Sequence, residues 1–284
     1  MIKIIASDMD GTLLNSVQQI SGENKEAILK AQAQGVEFVV ATGRSYQEAT
    51  YVLGEAGLEC PIICVNGAEV RSKEGEILSA TPISKKMARD VALMLKELDI
   101  YFEVYTDKGA CTVDADKAVT TLVDIIISAN PEADRDEVTY AAGARLRDGL
   151  VQVIEDYDIL FADENVQIYK MLVFSFDAVK LAAAGHALAD FEGLAVSASG
   201  DENLEITNKQ AQKGIALESF AKAKGIDIAE TMAIGDNYND VSMFERAGRS
   251  VAMGNANYEI QALCDVITDT NNEHGVAKAI LEVL

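Results

Sequence analysis

Two carboxylates stand two residues apart in Asp8-Met9-Asp10-Gly11-Thr12, directly after the apolar run Ile2 to Ser7. Side chains two apart on an extended chain point the same way, so Asp8 and Asp10 are expected to face one crevice. Carboxylates crowded together repel unless a cation or a shared proton relieves them. Gly11 permits a sharp turn there, and Thr12 adds a hydroxyl. A second acidic set, Gly235-Asp236-Asn237-Tyr238-Asn239-Asp240, closes another apolar run that begins at Thr231. Oxygen-only ligands of this kind suit a hard cation, and a site left open for a phosphate suits Mg²⁺. Asn239 or Asp240 would also serve there as a helix N-cap.

The matching anion-binding groups lie elsewhere. Thr42-Gly43-Arg44 joins the end of an apolar run to a helix start, where a hydroxyl and main-chain amides make an anion site. Lys213-Gly214 opens a further helix. A cation is misplaced at that end, which is already partially positive, and an anion would relieve the conflict. A solvated surface lysine is the ordinary expectation for Lys213, and Lys209 competes for the same role.

These motifs need elements that bring them to one place. Short apolar runs (Ile2 to Ser7, Val36 to Ala41, Pro61 to Val65) alternate with helical segments that open at Ser21 and at Ser45 with Glu48. Gly35 and Gly57 end those two helices. The rhythm resumes after about Gln212, with strands at Thr231 to Gly235, Ser250 to Met253 and Asp265 to Thr268, and a last helix closing at Leu284. Strand and helix in alternation predict a doubly wound, mostly parallel α/β sheet, Rossmann-like, whose ligands sit beyond the strands' carboxyl ends.

The middle has another pattern. A helix from Ser84 carries Met87, Val91, Leu95 and Leu98 on one face, and Asp107-Lys108-Gly109 marks a hairpin between Tyr101 to Thr106 and Ala110 to Val113. The run Ile168 to Phe174, a helix near Val179 to Leu188 and a second hairpin (Ala195 to Ser199 with Leu204 to Thr207) follow. The expected organisation is an α+β module over 83–206 inserted into a core formed by 1–82 and 207–284.

Composition narrows the classes. A net charge of −22 repels nucleic acid and anionic lipid, which attract proteins through Lys and Arg. No apolar stretch is long enough to span a bilayer, and the acidic start is not a signal peptide. Cys60, Cys64, Cys111 and Cys264 are scattered, which fits free thiols in a reducing cytoplasm. Cys60 and Cys64 bracket a strand and read as core. His186 and His274 read as structural or loop residues, and Tyr101, Phe102 and Tyr105 as strand packing or substrate-facing aromatics.

Taken in order, Asp8-x-Asp10-Gly11-Thr12, Thr42-Gly43-Arg44, Lys213-Gly214 and Gly235-Asp236-x-x-Asn239-Asp240 resemble the four motifs of the haloacid dehalogenase superfamily, without departure in any of them. The insertion, Asn66-Gly67-Ala68 and His274-Gly275-Val276-Ala277 are similar to its type-IIB, Cof-like phosphatases, and the resemblance spans the chain. It implies a Mg²⁺-dependent phosphatase of small phosphorylated metabolites, sugar phosphates first, then nucleotides, flavin mononucleotide and pyridoxal phosphate. On this resemblance Asp8 would be the nucleophile that forms an aspartyl-phosphate, and Asp10 the general acid and then base. Asp8, the main-chain carbonyl of Asp10, and Asp236 would hold Mg²⁺, with Asp240 in support. Thr42 and Lys213 would bind phosphoryl oxygens. Gly43, Arg44 and Asn66 would line the same floor, and Asn239 would hold the phosphate or orient Asp236. The inserted cap would contact the leaving group. A phosphomutase of the phosphomannomutase type and a non-catalytic phosphoryl-binding regulator are the alternatives.

Overall fold

The computed structural model describes residues 1–130, 132–197 and 202–284. The chain opens with strand β1 (Ile4–Ser7), helix α1 (Gly22–Ala33), β2 (Glu37–Ala41), α2 (Tyr46–Ala56), β3 (Ile62–Cys64), β4 (Glu69–Arg71) and β5 (Ile77–Ala80). Local chemistry sets these boundaries. The Ser21 hydroxyl accepts from the Asn24 N–H to start α1. Ser45 and Glu48 form a capping box at α2, which Gly57 closes in the left-handed conformation.

The next segment comprises α3 (Lys85–Glu97), β6 (Tyr101–Thr106), β7 (Gly109–Thr112), α4 (Ala115–Ala129), α5 (Arg135–Ala142), α6 (Ala144–Arg147) and β8 (Val151–Val153). It continues through α7 (Asp158–Ala162), β9 (Ile168–Phe174), α8 (Ala178–Leu188), β10 (Leu194–Ser197) and β11 (Asn203–Asn208). The chain ends with α9 (Lys213–Ala223), β12 (Thr231–Gly235), α10 (Val241–Phe244), β13 (Arg249–Ala252), α11 (Tyr258–Leu263), β14 (Val266–Ile267) and α12 (Gly275–Val283). Two compact units result: Met1–Thr81 with Gln210–Leu284, and Pro82–Lys209.

The first unit is built on an eight-stranded sheet in the order β14-β13-β12-β1-β2-β3-β4-β5. Strands β14 to β3 in that order run parallel, and β4 and β5 add antiparallel. Ile4, Ala6, Val39, Ala41 and Ala233 face one side, against Leu217 and Phe220 of α9, Met243 of α10 and Ile260 of α11. The alternate residues Ile5, Phe38 and Met232 serve the opposite face, where α1 lies on β2 and α12, and α2 on β3. The β4–β5 hairpin is the part of this sheet that the sequence pattern does not announce. Its strands are short, and all four residues of the edge strand β5 are exposed, so no apolar alternation marks it.

The second unit holds a six-stranded sheet, β10-β11-β9-β6-β7-β8. Registers place Phe102 beside Val173 and Val173 beside Leu204, and likewise Val104, Met171 and Ile206. These rows pack on Val91 and Leu95 of α3, Leu160 and Phe161 of α7 and Leu181 and Ala184 of α8. Phe102 stacks on Tyr157 at 4.7 Å, so it belongs to this core. The other face carries Glu103, Leu172 and Glu205 in one row and Tyr105, Lys170 and Thr207 in the next. There Arg145 donates to Glu103 at 3.2 Å, and Lys170 lies over the Tyr105 ring at 4.6 Å. The expected hairpin at Ala195 is present as β10–β11, with its Ala198 and Ser199 outside the described residues.

The four cysteines are free, with Cys60, Cys64 and Cys111 buried. Burial pushes the Cys60 thiol up to about 12. His186 is exposed on α8. His274 takes the left-handed conformation before α12 and meets the Ser21 hydroxyl at 2.9 Å.

Asn24 links this scaffold to the loop after β1. It is fully buried; its Nδ2 donates to the Leu13 carbonyl at 3.2 Å, and its Oδ1 accepts from the Ala277 N–H at 3.0 Å. Asn24→Ala strands both groups and should cost about 2–4 kcal/mol, read from the denaturation midpoint at unchanged slope. A loss below about 0.5 kcal/mol would show that the bridge is not needed.

Candidate active site

Because β1, β2, β12 and β13 run parallel, their carboxyl ends lie along one edge of the sheet. Asp8 follows β1, Thr42 follows β2 and Asp236 follows β12. Lys213 is the first residue of α9 and has no exposed surface, so it is not the solvated lysine that lysines usually are. Its Nζ donates to Asp8 Oδ1 at 2.6 Å and to Asp240 Oδ1 at 2.7 Å. Burial opposes its charge, but the Asp240 and Asp8 carboxylates outweigh that and hold the ammonium above its ordinary value. Lys209, by contrast, is exposed and ends the second unit. Gly214 lets α9 come this close, since a Cβ there would lie 1.8 Å from the Ser242 carbonyl oxygen.

Asp240 is also fully buried, and both its oxygens are committed. Oδ1 receives Lys213, and Oδ2 accepts from the main-chain N–H groups of Asp236 and Asn237 at 3.0 and 3.1 Å. This corrects the capping expectation. Asn237 caps the turn Tyr238–Asp240, with Asp240 reaching back to it; no side-chain hydrogen bond from Asp240 caps α10. An aspartate that already holds Lys213 and two loop amides has no oxygen left for a helix start.

The loop after β1 is held from several sides. Asp8 N–H donates to the Ile234 carbonyl at 2.9 Å. The turn Met9–Leu13 breaks at Asp10 and at Gly11, whose φ is +77°. A Cβ at Gly11 would lie 2.5 Å from Asp236 Oδ2, so this position needs glycine for space as well as conformation. Thr12 Oγ1 donates to Asp236 Oδ1 at 2.7 Å. Asn255 Nδ2 donates to the Gly11 carbonyl, and Asn271 Nδ2 to the Leu14 carbonyl, each at 2.8 Å. The Asn271 N–H in turn donates to Asn255 Oδ1 at 2.9 Å. No sequence motif marks these two asparagines, although Asn255 stands just past β13, at another strand's carboxyl end.

Strand alternation, on which the sequence places Asp8 beside Asp10, stops at Ser7. The turn gives the two carboxylates separate partners. Asp10 is half exposed and paired with Arg44, whose Nε and Nη2 donate to its two oxygens at 2.8 and 2.5 Å. Thr42 is buried; its Oγ1 accepts from the Arg44 N–H at 3.1 Å, and its carbonyl from the Asn66 N–H at 2.9 Å. Asn66, at φ +57°, receives Asn239 Nδ2 on its Oδ1 at 3.2 Å, and a Cβ on Gly43 would touch that same oxygen. Asn239 Oδ1 is buried with no hydrogen-bond partner among the described residues. Thr42, Gly43, Asn66 and Asn239 thus form a second polar group beside the acidic one.

Asp8, Asp236 and Asp240 each place a carboxylate oxygen within 4.8 Å of the others. Three carboxylates against the single Lys213 ammonium leave two negative charges uncompensated. Burial, with Lys213 opposing and Asp240 and Asp236 adding, raises the Asp8 carboxyl well above the usual range. Burial also pushes Asp236 up to about 6, against its bond from Thr12. Among the described residues, neither Asp8 Oδ2 nor Asp236 Oδ2 receives a hydrogen bond. Two unclaimed oxygens in an over-negative pocket are the donor set that fits a hard divalent cation.

The family model for haloacid dehalogenase-like hydrolases matches residues 5–280. Phosphatase YwpJ of Bacillus subtilis (strain 168) is 38% identical over the full length of both chains. The 5-amino-6-(5-phospho-D-ribitylamino)uracil phosphatase YwtE of the same organism is 36% identical over 100% of this chain and 98% of its own. A solved haloacid dehalogenase-like hydrolase from B. subtilis superposes with a TM-score of 0.88 at 38% identity, covering both chains entirely. The chain belongs to the haloacid dehalogenase-like hydrolases. It is an enzyme of the phosphatase type.

Lys213→Met removes the only cation of the buried group and leaves two carboxylates facing each other. Unfolding free energy should fall by about 3–5 kcal/mol, measured by chemical denaturation. Unchanged stability would mean that Lys213, Asp8 and Asp240 do not act as one unit.

Proposed function

We propose that this hydrolase is a Mg²⁺-dependent phosphomonoesterase of small phosphorylated metabolites. Sugar and sugar-alcohol phosphates come first, with nucleotides, flavin mononucleotide and pyridoxal phosphate behind them. The observation that carries the reading is the buried Asp8–Lys213–Asp240 group with Asp236 beside it. The phosphate ester of a ribityl chain named in YwtE supports the choice of first substrate class.

In this reading Lys213 and Thr12 fix one oxygen each of Asp8 and Asp236. An Asp8 carboxylate oxygen attacks phosphorus, and the bond from phosphorus to the leaving oxygen breaks as an aspartyl-phosphate forms. Asp10 gives its proton to the departing alkoxide. It then takes a proton from water, whose oxygen attacks phosphorus and frees Asp8 and inorganic phosphate. Mg²⁺, held by Asp8, Asp236 and the Asp10 carbonyl, would supply positive charge to the phosphoryl oxygens. Asp240 would act in support, by fixing Lys213 and the Asp236 loop. Lys213, Thr42 and the Asn66–Asn239 pair are assigned to those same oxygens, with Gly43 keeping the backbone close.

Leaving-group contacts are assigned to the inserted unit, as the family resemblance implies. The partner is a small molecule, and we place the enzyme in the cytoplasm. Among the described residues no helix is long and apolar enough to cross a membrane.

Phosphate release should be measured across a metabolite panel, with Mg²⁺ and with EDTA. Activity is expected only with the cation, as free phosphate and not as transfer between hexose monophosphates. Full turnover in chelator would remove the metal from the mechanism. Asp8→Asn keeps the size of the side chain but not its nucleophilicity and should cost about a thousandfold or more in kcat. Near-normal turnover of that variant would overturn the assignment of Asp8.

A further inference from the structure

Arg44 lies at the start of the Thr42-Gly43-Arg44 helix entry, where an arginine would be expected to grip phosphate. Its partners say otherwise. The two-pronged edge of the guanidinium, Nε and Nη2, is the edge that grips an oxyanion through parallel hydrogen bonds. Asp10 already occupies it, at 2.8 and 2.5 Å. Nη2 also donates to Gln18 Oε1 at 2.5 Å. Gln18 is delivered by a built turn: Asn15 Oδ1 accepts from the Val17 and Gln19 N–H groups, and the Gln18 N–H donates to the Asn15 carbonyl. A bridge between Leu14 and Ile20 closes the loop, and Gln18 itself sits at φ +60°. The Arg44 N–H donates to Thr42 Oγ1, which anchors the arginine's main chain to the polar group beside Asp8.

We infer that Arg44, braced by Gln18, is the positioning residue for Asp10 and not a ligand of the substrate phosphate. This rests on the reading of Asp10 as the general acid and base. Asp10 is two residues from Asp8, and its carboxylate is half exposed. Without a partner of its own it would be drawn to the buried Lys213 ammonium or to a bound cation, where it could not serve a leaving group. The Arg44 fork fixes the plane and direction of the carboxylate outside that cluster. Gln18 in turn fixes the fork.

The test compares two esters, p-nitrophenyl phosphate, whose leaving group needs no proton, and glycerol phosphate, whose alkoxide does. For each, kcat/KM is measured in Asp10→Asn, Arg44→Ala, Arg44→Lys and Gln18→Ala, alongside the inhibition constant of inorganic phosphate. General acid catalysis is worth about 10²–10⁴-fold. Arg44→Ala should therefore lose about tenfold or more on glycerol phosphate but stay within about threefold on the aryl ester, with phosphate inhibition also within about threefold. Arg44→Lys, which keeps the charge without the fork, should fall between it and the wild type. Equal losses on both esters, with weaker phosphate inhibition, would overturn the inference and make Arg44 a phosphate ligand. If Asp10→Asn is itself indifferent to the leaving group, the acid–base reading fails first. If Asp10→Asn discriminates between the esters and Arg44→Ala does not, the inference alone fails. Circular dichroism checks folding; should Arg44→Ala not fold, Gln18→Ala at its exposed site carries the same comparison. Selectivity against glycerol phosphate then supports the brace, and its absence overturns it.

Discussion

One ammonium with no exposed surface, Lys213 Nζ, has to remain charged between Asp8 and Asp240, and the active edge of the sheet is arranged to allow it. Burying that charge alone would cost far more than the fold can supply. The two carboxylates stand at the ends of β1 and just past β12, 205 and 27 residues away in the chain. The start of α9 must therefore meet both strand ends at once. Gly214 removes the side chain that would hold α9 away from Ser242. The desolvation of such a group offsets most of its attraction, so its main effect is on register and less on stability. It decides which segments meet, and where.

That constraint explains what was legible from sequence. Asp8 and Asp236 were, because an acid after an apolar run needs only the strand-end rule. Caps at Ser21 and Ser45 were, because they are settled within three residues. The burial of Lys213 was not, because its partners are distant and lysine alone reads as surface. Asn255, Asn271, Asn24 and Gln18 are not legible because Asn and Gln read as ordinary turn or helix residues. Their partners are carbonyls and a guanidinium that only the folded chain brings near. The helix cap expected at Asn239 or Asp240 fails for the converse reason. Asp240 looks like a cap locally, but Lys213 and the Asp236 and Asn237 amides claim its oxygens. The parallel sheet was readable from periodicity, and the β4–β5 hairpin was hidden by an exposed edge strand.

The second unit follows the same logic of local closure. Its entry and exit are tied together, since Asn208 Nδ2 donates to the Pro82 carbonyl at 2.8 Å. Ends clasped in this way let an inserted module fold on its own core without disturbing the sheet that receives it. One face of its sheet is filled by Phe102, Val104, Met171 and Val173 and is committed to packing. The opposite rows carry Glu103, Lys170 and Glu205 in a nearly dry setting, where polar groups persist only if paired. Arg145 beside Glu103, and Glu205 near Lys170, meet that requirement.

The two aspartates of the first loop are held in opposite ways, and the difference matches their proposed tasks. Asp8 is gripped by Lys213 and by its own N–H, on a loop that Asn24, Asn255, Asn271 and Asp236 fix through Leu13, Gly11, Leu14 and Thr12. A nucleophile that must meet phosphorus in line gains from that rigidity. Asp10 shares the loop's main chain, but among the described residues its carboxylate is held only by Arg44, in a half-exposed pair. Such a pair contributes on the order of 1 kcal/mol or less. That is enough to select one orientation before substrate arrives, and small enough for the side chain to leave it as the protonated acid that serves a departing alkoxide, or as the carboxylate that takes a proton from water.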